Sequence, residues 1–170
     1  MNIELMLAVS GAVGAAIKWT YEYSNKLKWE KNKFLLEQIE KFQSDPNTQT
    51  MELILDWNRC NIVINETKIE FDDDLFYHSL ATHDKVHKFT KEELLLRGLF
   101  DDYFDSLTKL IILADSGMVS ESNLKLFLSY WFKILSGESS SKSQTIIDQI
   151  RSYLQFYGYD RLLEFLEKHY

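Results

Sequence analysis

The second half of the chain contains a series of helical apolar patterns, and these restrict the possible folds most. Thr90 and Glu93 have the spacing of a capping box. Apolar residues then recur every three or four positions as far as Ala114, which predicts a helix of about 25 residues. Gly117 follows as a stop signal. Two further patterns, one beginning at Ser120 or Ser122 and one carrying Ile146 to Tyr157, end at glycines in the same way.

The remaining segments complete a mainly helical prediction. Residues 49–58 have the pattern of a short helix, residues 72–80 that of a helical turn, and Asp160 is predicted to cap a last short helix. Ile62, Ile64, Ile69 and Phe71 flank Asn65-Glu66-Thr67, which indicates a small hairpin. One Pro and 6 Gly in 170 residues favour long helices over a turn-rich β fold. We therefore predict a mainly α protein with five or six helices and one small hairpin in residues 44–170.

An uncharged apolar stretch of 13 residues, Leu5 to Ile17, opens the chain. At about 1.5 Å per residue it covers roughly 20 Å, less than the ~30 Å hydrocarbon core of a bilayer. Lys18 can snorkel, and Trp19, Tyr21 and Tyr23 are typical of an interfacial aromatic belt. Residues 1–43 are accordingly predicted to form a membrane-anchor and stalk helix. The alternative is a soluble helix that packs on its own body or on a partner.

Small residues in the apolar stretch favour close helix contacts in lipid, and hence self-association. The residues predicted to contact the membrane or a second copy in this stretch are Leu5, Ala8, Gly11, Ala12 and Ala15.

Charge divides the chain into a basic N-terminal part and an acidic body. Residues 1–33 hold five Lys and three Glu, whereas residues 34–170 hold 14 Lys and Arg against 23 Asp and Glu. Lysines directly after the apolar stretch follow the positive-inside rule, which predicts a single-pass protein of the bacterial inner membrane with its body in the cytoplasm. The acidic body makes direct nucleic-acid binding unfavourable, because phosphate contact requires a cationic face. A single Cys60 excludes an intramolecular disulfide and fits a reducing compartment.

Several clusters have residue types that can carry chemistry. Four Asp and three His lie between residues 72 and 87, a composition that can bind a divalent metal, although a solvated loop is the simpler interpretation. Asp101 and Asp105 share a helix face, and Arg97 one turn earlier predicts an ion pair with Asp101. We predict no catalytic, metal or cofactor site. A nuclease or metal-dependent hydrolase that uses the His/Asp loop remains a second alternative.

A set of aromatic residues near the C-terminus is predicted to belong to the core, and any exposed member would mark a protein-binding patch. The set comprises Tyr130, Trp131, Tyr153, Phe156, Tyr157 and Tyr159.

Short motifs over most of residues 30–165 resemble an uncharacterised family of short bacterial proteins, frequent in cyanobacteria. The matching residues are Trp57 and Arg59, Arg97-x2-Phe100-Asp101-x2-Phe104, Gly117, Tyr130-Trp131 and Phe156-Tyr157-Gly158. The resemblance implies an N-terminal membrane anchor and a helical cytoplasmic body. In size and anchor placement the chain is also similar to single-pass accessory proteins of CRISPR and other antiviral systems.

These observations predict a non-enzymatic, membrane-anchored protein that self-associates and binds a protein partner. A membrane-perturbing or accessory role in antiviral defence is the specific hypothesis. The first alternative is a soluble helical interaction module.

Overall fold

The computed structural model describes the backbone of residues 3–85, 88–139 and 141–170, and the side chains of these ranges from Lys18 onward. Seven helices and one antiparallel hairpin make up the described residues, which confirms the predicted fold class. In chain order they are α1 (Ile3–Ser44), α2 (Pro46–Asp56), β1 (Arg59–Ile64), β2 (Thr67–Asp72), α3 (Asp73–Ser79), α4 (Lys91–Asp115), α5 (Glu121–Ser136), α6 (Gln144–Phe156) and α7 (Asp160–His169).

Helix α1 consists of a part that packs on the body and a part that projects from it. Leu35, Ile39 and Phe42 are buried in the common core. The side chains of residues 18–33 are all exposed. The predicted end of the helix is confirmed, because the Asp45 carboxylate accepts a hydrogen bond from the Thr48 amide at 2.8 Å and starts α2. The predicted division into domains at residues 43 and 44 stays a prediction.

The predicted hairpin is present between α2 and α3. Ile64 pairs with Thr67, so that Asn65 and Glu66 form a two-residue turn. Both turn residues have positive φ, at 47° and 65°, as a type I′ turn requires. One face of the hairpin is buried against the helices, and the side chains on it are Ile62, Ile64, Ile69 and Phe71.

Helix α4 lies at the centre of the body and packs against α2, α3, α5 and α7. It has the predicted capping box of Thr90 and Glu93, with both reciprocal hydrogen bonds formed. Phe100, Tyr103 and Phe104 on its buried face contact rings from α1, α3 and α6. The core therefore depends on large aromatic side chains from a single helix.

One local prediction was wrong. Tyr159, not Asp160, occupies the position before α7, and Asp160 is the first helical residue.

Lys142, in the polar loop after α5, is buried. The reason is tertiary, since this lysine reaches between the hairpin and α3 and pairs with Asp73 at 2.8 Å.

Candidate functional site

The projecting part of α1 presents large aromatic side chains to solvent. Trp19, Tyr21 and Tyr23 are 67%, 68% and 52% exposed. The rings of Trp19 and Tyr23 stack, with centroids 5.5 Å apart and planes 10° from parallel. Among the described contacts, two polar ones hold this part of the helix to the body: Lys31 Nζ donates to the Gly117 carbonyl at 2.7 Å, and Asn123 Nδ2 donates to Asn32 Oδ1 at 2.8 Å.

Lys18, also a predicted membrane contact, is exposed and lies 3.8 Å from Glu22 in an ion pair. The other predicted contacts, at Leu5, Ala8, Gly11, Ala12 and Ala15, have side chains outside the described residues. Among the helices that the structure describes, none combines the length and apolar character needed to cross a bilayer.

Alternating charges continue along the projecting helix into the body. Lys26 pairs with Glu30 and Lys33 pairs with Glu37, each at 3.9 Å. All of these side chains are largely exposed, so each pair contributes only about 0.3–0.5 kcal/mol to helix stability. These ion pairs within α1 favour a helix that extends into water without packing against the body.

A cleft of about 450 Å³ lies where α1, α2 and α4 meet. Its lining is mixed, with the apolar side chains of Phe42, Leu110 and Leu113 beside polar residues that include Lys41 and Lys109. The remaining lining residues are Gln38, Asp45, Asn47, Thr48, Asp102, Asp105 and Ser106.

Asp101, Asp102 and Asp105 lie close together in the sequence of α4, but they do not share one environment. Asp102 accepts a hydrogen bond from Asn47 Nδ2 at 3.0 Å, and Asp105 also faces the cleft. Asp101 instead accepts hydrogen bonds from two tyrosine hydroxyls, of Tyr153 at 2.7 Å and Tyr159 at 3.2 Å. Asp101 and Asp105 therefore do not act as one acidic pair.

Arg97 has a role that sequence spacing did not predict. The predicted ion pair with Asp101 is wrong, because the buried guanidinium turns toward the loop after α3. Its Nη1 donates to the carbonyls of Ser79 and Ala81 at 2.8 and 2.6 Å, and its Nη2 donates to the Tyr157 hydroxyl at 2.5 Å. Rings of Phe89, Tyr153 and Tyr157 surround it at 4.3–5.3 Å. Arg97 takes these partners because carbonyls at and just after the C-terminal end of a helix have no donor within the helix and require one from elsewhere.

The His/Asp region has structural roles at the positions that the structure describes. Asp72 caps α3 by accepting from the Leu75 amide at 2.8 Å. His83 Nδ1 hydrogen-bonds the Tyr157 hydroxyl, and its residue lies in a turn rather than on a helix. His87 lies outside the described residues. Within the described part of the chain, no three His, Cys, Asp or Glu side chains are placed to hold a metal ion.

A buried lysine near the hairpin was missed by sequence reasoning. Lys142 Nζ donates to the Trp57 carbonyl at 2.7 Å and to Asp73 at 2.8 Å, and lies 5.2 and 5.3 Å from the rings of Phe71 and Phe76. Burial lowers the pKa of Lys142, while Asp73 opposes that change. Cys60 is half-buried on the same hairpin, and burial raises the pKa of its thiol. A lysine among serines gives no sequence signal for burial.

A second polar group lies between α2 and α4. Burial, with Asp56 as a secondary cause, raises the pKa of Glu52 from 4.5 to about 7. Glu52 Oε1 and the hydroxyl of fully buried Tyr103 have no hydrogen-bond partner among the described residues. Asp56 on the same helix accepts a hydrogen bond from the Tyr130 hydroxyl.

The C-terminal aromatic set is only partly in the core. Tyr153 is buried, and Trp131, Tyr157 and Tyr159 are half-buried. The prediction was wrong for Tyr130 and Phe156, which are about half exposed. Tyr130 lies on α5 near two other exposed apolar residues, Leu126 and Phe127.

Comparison of the chain with protein-family models, curated proteins and solved structures finds no match.

Proposed function

We propose that this chain is a non-enzymatic protein of the bacterial inner membrane, anchored by its N-terminal helix and self-associating there. Its helical body lies in the cytoplasm and binds a protein partner. The single observation that supports this proposal best is the projection of α1, whose side chains from Lys18 to Lys33 are exposed and include three neighbouring aromatic rings.

The physical argument concerns what such a helix gains from a bilayer. Trp and Tyr combine an apolar ring with a polar edge, and this suits the headgroup region better than water or hydrocarbon. The lysines that follow the aromatic residues gain about 1 kcal/mol each near an anionic surface. The apolar residues before Lys18 would then enter the hydrocarbon layer.

The role in antiviral defence rests on the resemblance in size and anchor placement, and it stays a prediction. Membrane attachment does not depend on that resemblance, because the exposed aromatic rings of α1 favour it by themselves.

Membrane fractionation of bacterial cells tests the attachment. The full chain should pellet with membranes, and a variant lacking residues 1–20 should remain in the supernatant. Trp29→Ala serves as a control and should pellet like the full chain, because Trp29 is about as exposed as Trp19 but lies outside the aromatic cluster at residues 19–23. A full chain that stays soluble, with the same far-UV circular dichroism as the shortened one, would contradict the proposal.

Self-association in the membrane has its own test. Replacing Ala8 or Gly11 by a bulky residue should abolish oligomers in mild detergent, since small residues permit close helix approach. Unchanged oligomers would rule out helix packing through these positions.

A soluble interaction module is the second candidate function. The observation in its favour is the exposed apolar group on α5, Leu126, Phe127 and Tyr130, which is suited to a protein partner. A full chain found in the supernatant together with a partner protein, whose binding is lost in Phe127→Ala, would support this candidate.

A further inference from the structure

The exposed stalk and the cleft lie on the same side of α1. At 3.6 residues per turn, Trp19, Tyr23 and Leu27 fall within about 100° of the cleft residues Gln38 and Lys41 around the helix axis. Half-buried Phe34 lies between the two groups on the same side. One face of α1 therefore carries exposed rings at one end and, at the other, a cleft whose lining includes Phe42, Leu110 and Leu113.

A two-fold pairing requires this arrangement, because each copy must offer both the inserted group and the receiving surface. An antiparallel pair of α1 helices would bring the rings of one copy to the cleft of the other. The cleft, at about 450 Å³, is large enough to receive aromatic side chains. Lys41 and Lys109 are among its lining residues, and a lysine cation is a favourable partner for the face of an aromatic ring.

Charge determines the direction and register of the pairing. A row of exposed residues that overlaps one edge of this face alternates in sign at steps of three or four: Glu22, Lys26, Glu30, Lys33, Glu37 and Lys41. A parallel pair in register would place each of these charges beside its own copy. An antiparallel pair centred between Lys31 and Asn32 instead places every member opposite its complement.

In that register Glu22 faces Lys41, Lys26 faces Glu37 and Glu30 faces Lys33, and the two-fold axis repeats each pair. The same register brings Trp19 between Phe42 and Asp45 of the second copy, and Tyr23 between Gln38 and Lys41. Leu27 comes to lie between Phe34 and Gln38. The same antiparallel register therefore satisfies both the apolar contacts and the ion pairs.

We propose that in the absence of a membrane two copies of this chain pair antiparallel through α1, each inserting Trp19 and Tyr23 into the cleft of the other. The two N-termini of such a pair point in opposite directions and cannot enter one bilayer side by side. The dimer is therefore a form of the protein in water, and it goes beyond the membrane attachment proposed above.

Charge reversal and mixing test the pairing. The full chain in low-salt buffer is expected to sediment as a dimer, and Glu30→Lys and Lys33→Glu should each weaken dimerisation about tenfold by opposing like charges. Mixing the two single variants should restore the dimer, because both interchain pairs become complementary again. Mixing cannot rescue a loss of helix stability within one chain, so recovery of the dimer would report contacts between chains. Failure to recover the dimer would overturn the proposal.

A second pair of variants tests the inserted ring. Trp19→Ala should weaken the dimer, whereas Trp29→Ala should not, because Trp29 lies about 130° around α1 from the middle of the paired face and Trp19 lies only about 50° from it. A monomeric wild-type chain, or equal effects of the two substitutions, would overturn the proposal.

Cross-linking keeps the test decisive when mild detergent is needed to disperse the chain. In a Cys60→Ser background, cysteines at both Lys26 and Glu37 should give a dimer with a short bis-maleimide. Cysteine at Lys26 alone should not, because the two copies of that position would lie about 16 Å apart along the axis. A cross-linked dimer from a chain that stays out of membranes would contradict only the proposed function, and membrane attachment without cross-linking would contradict only the dimer.

Discussion

At the scale of single residues, the most informative side chains are polar groups that the fold has buried. Arg97 provides donors for the Ser79 and Ala81 carbonyls and for the Tyr157 hydroxyl, and so joins α4 to the loop after α3 and to the residue that follows α6. Lys142 likewise donates to the Trp57 carbonyl after α2 and to the Asp73 carboxylate at the start of α3. Lysine could not replace Arg97, because a single ammonium lacks the planar fork that reaches partners on two sides.

Glu52 makes the stability of the body depend on pH. Its pKa is raised from 4.5 to about 7 in the fold, so the native state binds more protons than the unfolded chain between these values. Stability should therefore fall as pH rises from about 4.5 to 7, and then level off. Glu52→Gln should raise the free energy of unfolding by about 1 kcal/mol at pH 8, after allowance for partial exposure of the carboxyl.

The measurement is thermal denaturation of both proteins at pH 5 and pH 8. A gain of about 2–4 °C at pH 8 with no gain at pH 5 is expected. Equal shifts at the two pH values would show that the substitution acts through packing rather than through ionisation.

At the scale of elements, glycines set where α5 ends and how closely α6 can approach. Gly137 has φ of 85°, and a Cβ there would meet Ile147 Cγ2 at 3.0 Å. Gly137→Ala should therefore lower the free energy of unfolding by about 1–2 kcal/mol through backbone strain.

Gly98 provides the matched control within α4. It is helical, and a Cβ there meets nothing within 4 Å. Gly98→Ala should stabilise the protein by about 0.5–1 kcal/mol, because alanine restricts the unfolded chain and favours helix. Chemical denaturation of the two variants compares them directly, and equal destabilisation by both would refute the assigned role of positive φ.

At the scale of the whole molecule, the chain consists of an acidic helical body and a basic helix that extends from it. The body core begins at Leu35 on α1 and continues to Leu166 on α7. Residues 18–30 lie outside this core and have exposed side chains. The projecting part of α1 and the folded body are therefore expected to contribute to stability almost independently.

This independence predicts the effect of removing the projecting helix. A variant lacking residues 1–30 keeps Lys31 and Asn32, which make the described polar contacts with Gly117 and Asn123. Its thermal midpoint should lie within about 2 °C of that of the full chain measured as a monomer, because few body contacts are lost. A larger fall would show that the first 30 residues support the body.

Local patterns predicted most of the fold, because the signals for helix ends and turns lie within a few residues of one another. The capping box of Thr90 and Glu93, the stop at Gly117 and the hairpin turn at Asn65 all involve neighbours in sequence. Candidate sites were predicted less well for the same reason. Arg97 is one turn from Asp101, yet its partners come from residues 79, 81 and 157.

Residue type and spacing were enough to predict the helical class, the capping box of Thr90 and Glu93, and the contrast between a basic N-terminal helix and an acidic body. These properties depend on neighbours along one chain. Three features appeared only once the helices had packed: the burial of Lys142, the choice of carbonyls over Asp101 by Arg97, and the position of the cleft on the same side of α1 as Trp19. Burial and partner choice depend on which surfaces meet when distant helices pack, and spacing in sequence carries no record of that.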